Sequence, residues 1–426
     1  MPEDTRTAAG LRLELESEGS IPSLTVRHPD LDSGRSSRAG VSVLIAGDLW
    51  CPDDTALAAA TDRVPWEPVS SFVKSHDVSV VNLEAPISPA LADGVKSGPR
   101  LSSHAATAAA LKAGGFTAVS LANNHLRDCG DRGVLDTLEA CAEAGLRCVG
   151  AGADSRAALA PLTLKVGGLT LGIIAVADQE FSIAGSQRPG AAPLEPYSTP
   201  ARVQALRSQV DAVVVLVHGG NELYALPSPR LRSLAHSLVR SGACAVVFHH
   251  QHVYSGVEVA GGAAIAYGTG NFFFPPRFSR DPRWRRGYMV SLVVGKNGVE
   301  RFRLLPYRQS DPTPAVQPLT KREASAFAAD VLSLAGTIAS DDRLRLEWSR
   351  FCARQRTRYL ARILNLNRVE RAALERGIWP FWRLRHNDVP TLLNILRCDA
   401  HRETMIDVLE SEMATIRADA PRTAPR

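Results

Sequence analysis

The sequence predicts an α/β protein with a helical C-terminal appendage. Three observations carry this. Short, β-rich apolar runs recur from Val41 to about Arg308, helix-spaced segments lie between several of them, and each run ends in a polar cluster. Beyond Pro306 the alternation is replaced by a helical pattern broken at Pro380 and Pro390.

Residues 1–40 are polar and read as a loosely held, flexible extension, ending in Ser-Gly-Arg-Ser-Ser-Arg. The runs VSVLIAG, DVSVVNLE, FTAVSLANN, LTLGIIAVA, AVVVLVHGG, CAVVFHH and AAIAYGTGN follow, and their near-continuous apolar character predicts sheets covered on both faces. Gly133–Ala144 and Ser228–Ser241 carry Ala and Leu at helical spacing. Residues 41–310 are therefore expected to form the catalytic domain. Residues 311–317 (DPTPAVQ) read as a linker, 319–415 as an Arg- and Leu-rich helical region, and 416–426 as a disordered tail.

A chain of 426 residues exceeds one ordinary core. Hydrophobic and charged contents of 45% and 22% exclude wholesale disorder. No apolar run reaches the roughly 18 residues of a bilayer span. The start, MPEDTRTAAG, is acidic where a signal peptide is basic, so a cytoplasmic location is expected. The net charge of +5 comes from 49 basic and 44 acidic residues, and without an evident basic cluster no nucleic-acid partner is expected. Seven cysteines without a C-x-x-C pair read as reduced thiols. The oligomeric state is left open.

Chemistry-bearing residues gather at the predicted strand ends, where ligands collect in α/β sheets. Gly47-Asp48, Asn82-Leu83-Glu84, Asn123-Asn124-His125, His218-Gly219-Gly220-Asn221-Glu222, His249-His250-Gln251-His252 and Gly270-Asn271 close six of the runs. Singly, Asp48 or Glu84 is an ordinary loop residue, Asn124 an ordinary turn residue, and one His-x-His a chance pair. Jointly they make a set of hard oxygen and imidazole donors, which suits Zn, Mn or Fe(II). Arg277, Arg280, Arg283, Arg285 and Arg286 follow the last motif and read either as a solvated loop or as a clamp for an anionic substrate.

The order G-D, N-L-E, A-N-N-H, H-x-G-x-E, H-H-x-H, G-N-F resembles the bacterial capsule-synthesis family CapA, or PGA_cap, which is similar to calcineurin-like metallophosphoesterases. The resemblance covers about Val41 to Phe274. It implies a metallophosphoesterase-like β-sandwich core flanked by helices, with a divalent metal centre, generally of two ions, at one end. It further implies Asp48, Glu84, Asn124, His218, His250 and His252 as ligands, Glu84 in the bridging place, and His125 as the proton donor. Glu222 would be a ligand or general base. There are departures: Asp48 is followed by Leu49 and Trp50 where many phosphoesterases have Asp-x-His, Gln251 replaces a Pro, and Gly219 replaces a Trp. One ion, or two of unequal affinity, is therefore an alternative.

The function implied is metal-dependent hydrolysis or transfer at a phosphoryl, peptide or γ-glutamyl bond, on an anionic polymer, peptide or small molecule. Two alternatives stand beside it: an epimerase using the same site for α-proton exchange, and a non-catalytic assembly scaffold.

Overall fold

The computed structural model describes residues 10–18, 21–32, 40–52, 64–89, 91, 98–275, 281–311, 313–378, 388–398, 401–402, 404–406 and 408–409. The chain divides into two compact units, Met1–Arg345 and Leu346–Arg426.

The first unit opens with a hairpin of β1 (Arg12–Glu18) and β2 (Ile21–Arg27). β3 (Val41–Leu49), β4 (Val78–Leu83), β5 (Ala118–Ser120) and β6 (Arg147–Val149) then alternate with helices Glu67–Lys74, Thr107–Ala113 and Gly130–Glu143. The short β7 (Ala151–Gly152) precedes β8 (Leu162–Val166) and β9 (Leu169–Ala177), and β10 (Gly190–Ala191) pairs back onto β7. β11 (Ala212–His218), β12 (Ala245–His249), β13 (Val257–Ala260) and β14 (Ala263–Ala266) come next, with helices Ser198–Arg207 and Pro229–Arg240. β15 (Asn271–Phe273), β16 (Arg286–Gly295), β17 (Gly298–Gln309) and β18 (Val316–Pro318) complete the strands.

Two mixed sheets result. The larger runs β1-β2-β17-β16-β3-β4-β5-β6, with β15 on β3 and β18 on β17; the other runs β13-β14-β12-β11-β9-β8. All seven apolar runs anticipated from the sequence contribute strands. The central ones, such as AVVVLVH in β11, are buried at every position, as a sheet covered on both faces requires. Residues of both sheets share one apolar core. The sheets are also joined directly, since the His249 ring at the end of β12 lies 3.0 Å from the Ala46 carbonyl in β3. β3, β4 and β5 are mutually parallel, as are β9, β11 and β12. The carboxyl ends of β3, β4, β5, β11 and β12 therefore bring five of the polar clusters together, and the sixth, Gly270-Asn271, joins them where Asn271 of β15 pairs with Asp48.

Two boundaries differ from expectation. Within the supposed extension, residues 12–27 are a hairpin that joins the large sheet through Thr25 and Leu24 against Arg303 and Leu304 of β17. Leu24 is fully buried, while Glu14 and Glu16 meet Arg27 on the more exposed face. This is a half-buried strand pair whose glutamates masked its alternation. Residues 316 and 317 of the supposed linker lie in β18, and the helix Lys321–Ile338 belongs to the first unit. A Thr320–Glu323 capping box starts this helix, and its buried Phe327 packs on Tyr254 at 4.4 Å between ring centroids. The second unit contains helices Arg368–Glu375 and Asp388–Arg397 and most of Asp341–Ile363. Among the described residues no helix is long and apolar enough to cross a membrane.

Replacing Leu24 by Ala should cost about 2–5 kcal/mol of unfolding free energy, as for a core leucine. Denaturant unfolding checks this; a change below about 0.5 kcal/mol would return β2 to the status of a loose extension.

Candidate metal centre

Asp48 and Glu84 lie at the ends of neighbouring parallel strands and are 1% and 0% exposed. Asp48 Oδ1 accepts from Asn82 Nδ2 at 2.8 Å, and Oδ2 accepts from the His250 backbone N–H at 3.0 Å. The strand can approach its neighbour there because position 47 is glycine. A Cβ on Gly47 would fall 1.9 Å from the Gly270 carbonyl oxygen. Glu84 Oε1 lies 3.4 Å from His252 Nε2 and 4.0 Å from His218 Nε2.

The imidazoles come from the second sheet. His218 ends β11, with Nδ1 3.3 Å from Asn82 Nδ2 and Nε2 3.1 Å from both Asn124 Oδ1 and His250 Nδ1. His250 and His252 follow β12 on a loop in which both have positive φ, 95° and 58°. Such backbone is costly for residues other than glycine and persists only where its surroundings impose it. Here the His250 N–H donates to Asp48, Gln251 Nε2 donates to the Gly219 carbonyl, and the Gln251 carbonyl accepts from Leu223 N–H. His252 Nδ1 faces Asn271 Oδ1 at 2.8 Å, so the hydrogen bond to the amide oxygen fixes the tautomer and leaves Nε2 towards Glu84.

Two triads emerge whose ligand atoms lie within 4.8 Å of one another: Asp48, Glu84 and His218, and Glu84, His250 and His252. Glu84 is common to both. The donor set fits a divalent ion on electrostatic grounds. Two buried carboxylates meet imidazoles that burial drives towards the neutral form: desolvation lowers the pKa of His218 well below its ordinary value and lowers that of His252. Charge this deeply buried demands compensation, and a hard cation on O and N donors provides it.

Asn124 belongs to the cluster through its contact with His218, and its Nδ2 donates to Glu180 at 3.3 Å. His125 lies outside both triads but close enough to act electrostatically on His218; its Nδ1 is 2.6 Å from Asp128 Oδ2, which also accepts from the Leu101 N–H. Both members of this pair are buried. His249 is not a ligand candidate, being bound to Ala46 and shifted to lower pKa by burial.

Other expected site residues are not members of the triads. Glu222 is exposed on the loop after β11 and outside both triads. Arg283 is paired with Asp281, and Arg285 with Asp311. Arg283 and Arg286 line a cleft of about 570 Å³ with Tyr254 and Asp330, not the ligand cluster. Arg277 and Arg280 lie outside the described residues. Between these arginines, Trp284 packs on the His252 ring at 4.9 Å. The space beside Asp48, where the phosphoesterase histidine would stand, holds Trp50, whose Nε1 donates to the Ser102 carbonyl and whose ring meets Phe274.

Sequence reasoning missed four supports: Asn82, Asp128, Glu180 and Asn271. Asn82 and Asn271 stood inside motifs already singled out, and Asp128 is three residues after His125. Glu180 gave no local signal.

The fold and site define a mixed α/β protein with a candidate metal centre at the strand ends. The chain belongs to the bacterial capsule synthesis protein family PGA_cap, whose profile matches residues 42–276, over half its length. It is 33% identical over 251 residues to the PGA biosynthesis protein CapA of Bacillus subtilis, covering 55% of this chain and 65% of that protein. It is 29% identical over 294 residues to the capsule biosynthesis protein CapA of Bacillus anthracis, covering 66% and 70%. A probable polyglutamine synthesis accessory protein of Mycobacterium tuberculosis is 30% identical over 227 residues, with 49% and 59% covered. The chain thus spans just under two thirds of the Bacillus subtilis relative. Among solved structures, a hypothetical protein from Thermus thermophilus matches 63% of this chain and 99% of its own at 17% identity and TM-score 0.42. A phosphatase from Mycoplasma pneumoniae matches 67% and 96% at 13% identity and TM-score 0.39.

The lowered pKa values of His218, His249 and His252 set a pH dependence for metal-stripped protein. Below about pH 6.5, the unperturbed histidine value, the unfolded chain takes up protons that the folded rings refuse, so stability should fall as pH drops from 7.5 to 5.5. Thermal unfolding in chelator reads this; a midpoint that stays level or rises on acidification would contradict neutral buried imidazoles.

Proposed function

We propose that this protein is a divalent-metal-dependent enzyme of poly-γ-glutamate capsule metabolism, hydrolysing or transferring at a phosphoryl, peptide or γ-glutamyl bond. The observation that carries this is the pair of buried triads sharing Glu84, beside the His125–Asp128 pair. The Bacillus relatives are proteins of PGA and capsule biosynthesis, which supports this substrate class.

Asp48, Glu84, His218, His250 and His252 would hold two ions, with Asn124 Oδ1 a further donor. When bound, such ions supply Lewis-acid polarisation of the electrophile and neutralise negative charge developing on oxygen. The chain's own groups do the rest. Asn82 and Asn271 orient Asp48 and His252. Asp128 holds the His125 ring by Nδ1, leaving Nε2 as the atom that delivers a proton to a leaving group. Trp50, Phe274 and Trp284 form an apolar wall that keeps water from one side of the site.

The geometry favours bond cleavage over epimerisation. Exchange at an α-carbon needs two acid–base groups on opposite faces, and beside the triads the buried acid–base pair is the single His125–Asp128 dyad, with Glu222 exposed and in neither triad. A pure scaffold would leave two buried carboxylates among neutral rings.

His250→Ala and His252→Ala should each lower metal content by elemental analysis and reduce turnover of a nitrophenyl phosphodiester or a γ-glutamyl oligomer by more than about 100-fold. His125→Asn should keep its metal while kcat falls roughly 10²–10⁴-fold, less so for the nitrophenoxide leaving group than for an alkoxide. Metal loss in step with activity in His125→Asn would make it a ligand or structural residue. Deuterium uptake at an α-carbon from heavy water, without cleavage, would make the enzyme an epimerase.

A further inference from the structure

The charge of the chain is unevenly placed. Residues 1–345 contain 34 Lys and Arg against 34 Asp and Glu, whereas residues 346–426 contain 15 Arg against 10 acids. The net +5 therefore resides in the second unit. Within it no Asp or Glu occurs between Glu347 and Glu370, a stretch that holds six arginines. Four of them, Arg350, Arg354, Arg358 and Arg362, recur every fourth residue along the helix Asp341–Ile363, and all four are exposed. Arg368 and Arg371, on the helix Arg368–Glu375, are exposed as well.

Residues four apart share one helix face, so the four arginines form a row. Each step along it is a like-charge pair, which disfavours the helix. An ordinary solvated face interleaves Glu with Arg at this spacing and gains from it; this row does the opposite three times in succession. Arg350 has Glu347 beside it, but Arg354, Arg358 and Arg362 have no ion pair among the described residues. The row is not held by a core that needs it, because the apolar cluster of this unit consists of Ala361, Leu366 and Leu374 with Leu360 and Leu364 packed against it.

We propose that the row Arg350–Arg354–Arg358–Arg362 is a docking surface for an extended polycarboxylate, a polymer of the class that the function proposed above assigns as substrate. Guanidinium forks bind carboxylates bidentately, and a polymer carrying one carboxylate per repeat would remove the repulsion along the helix. The spacing is compatible. Successive arginines are about 6 Å apart along the helix axis, and a γ-linked glutamyl repeat of five backbone bonds extends roughly 6 Å. Single-stranded nucleic acid is the less suited polyanion, since its docking adds stacking aromatics. The exposed aromatic of this stretch, Tyr359, lies off the four-residue row.

The test measures anisotropy of fluorescein-labelled poly-γ-glutamate against the full chain at 50 and 300 mM NaCl, in EDTA. The comparison is R354Q/R358Q/R362Q. The triple variant should bind about tenfold or more weakly with a shallower salt dependence. Its helix content should be unchanged, its melting temperature equal or higher, and its turnover of a nitrophenyl phosphodiester unchanged when metal is restored. Wild-type protein that fails to bind the polymer, or a triple variant that binds as well as wild type, would overturn the proposal. So would tighter binding of oligo-dT or phosphatidylglycerol vesicles than of poly-γ-glutamate at matched charge. Because binding is read with metal removed, failure of the catalytic proposal and failure of the docking surface give different results.

Discussion

Asp48 is held from both sheets at once. Its own strand is clamped to β15, Asn82 on the neighbouring strand donates to one carboxylate oxygen, and the backbone of His250 from the opposite sheet donates to the other. Burying a carboxylate in this way costs several kcal/mol unless charge and hydrogen bonds answer it. The neighbouring features serve that requirement. Gly47 lets the strand approach the Gly270 carbonyl, the His250–His252 loop takes positive φ to place its N–H on Asp48, and His249 ties the loop's strand to Ala46. The same constraint places Glu84, one strand over, where two sets of imidazoles reach it.

Much of this was legible in the sequence because strand ends carry their own punctuation. Val, Ile and Leu runs that stop in Asp, Asn or His cannot continue as covered strands, so the polar residues had to fall at sheet edges, and parallel strands put those edges together. All six proposed ligands come from such positions. The supports were less legible. A hydrogen bond between Asn271 and His252 or from Asn124 to Glu180 joins residues far apart in the chain or on different elements, and no local spacing announces it. The hairpin at 12–27 was hidden for another reason: Glu14 and Glu16 on the open face diluted the apolar alternation of Leu13 and Leu15, and only the pairing of Leu24 with Leu304 reveals the strand. Of the arginines near Gly270-Asn271, Arg283 pairs with Asp281 and Arg285 with Asp311, partners that their sequence spacing does not announce as a pair.

The departures from the phosphoesterase pattern have a physical expression. Where a second histidine would follow Asp48, Trp50 joins Ala85, Leu101, Phe274 and Trp284 in a small apolar cluster. Two of these rings pack on His252. One flank of the site is thereby lined by apolar rings rather than by a further imidazole. On the other side of the cluster the amide oxygen of Asn124 lies 3.1 Å from His218 Nε2. In the second unit the charge is arranged on another logic, as a row of exposed arginines at four-residue spacing.

The central claim is that Glu84 is shared between two cations. Electron paramagnetic resonance of protein reconstituted with two equivalents of Mn(II) tests it most directly, alongside Glu84→Gln. A carboxylate-bridged pair should give the multiline signature of exchange-coupled Mn(II), and Glu84→Gln should abolish that coupling and lower stoichiometry. A wild-type spectrum of isolated, uncoupled Mn(II), unchanged in Glu84→Gln, would contradict the shared-ligand centre.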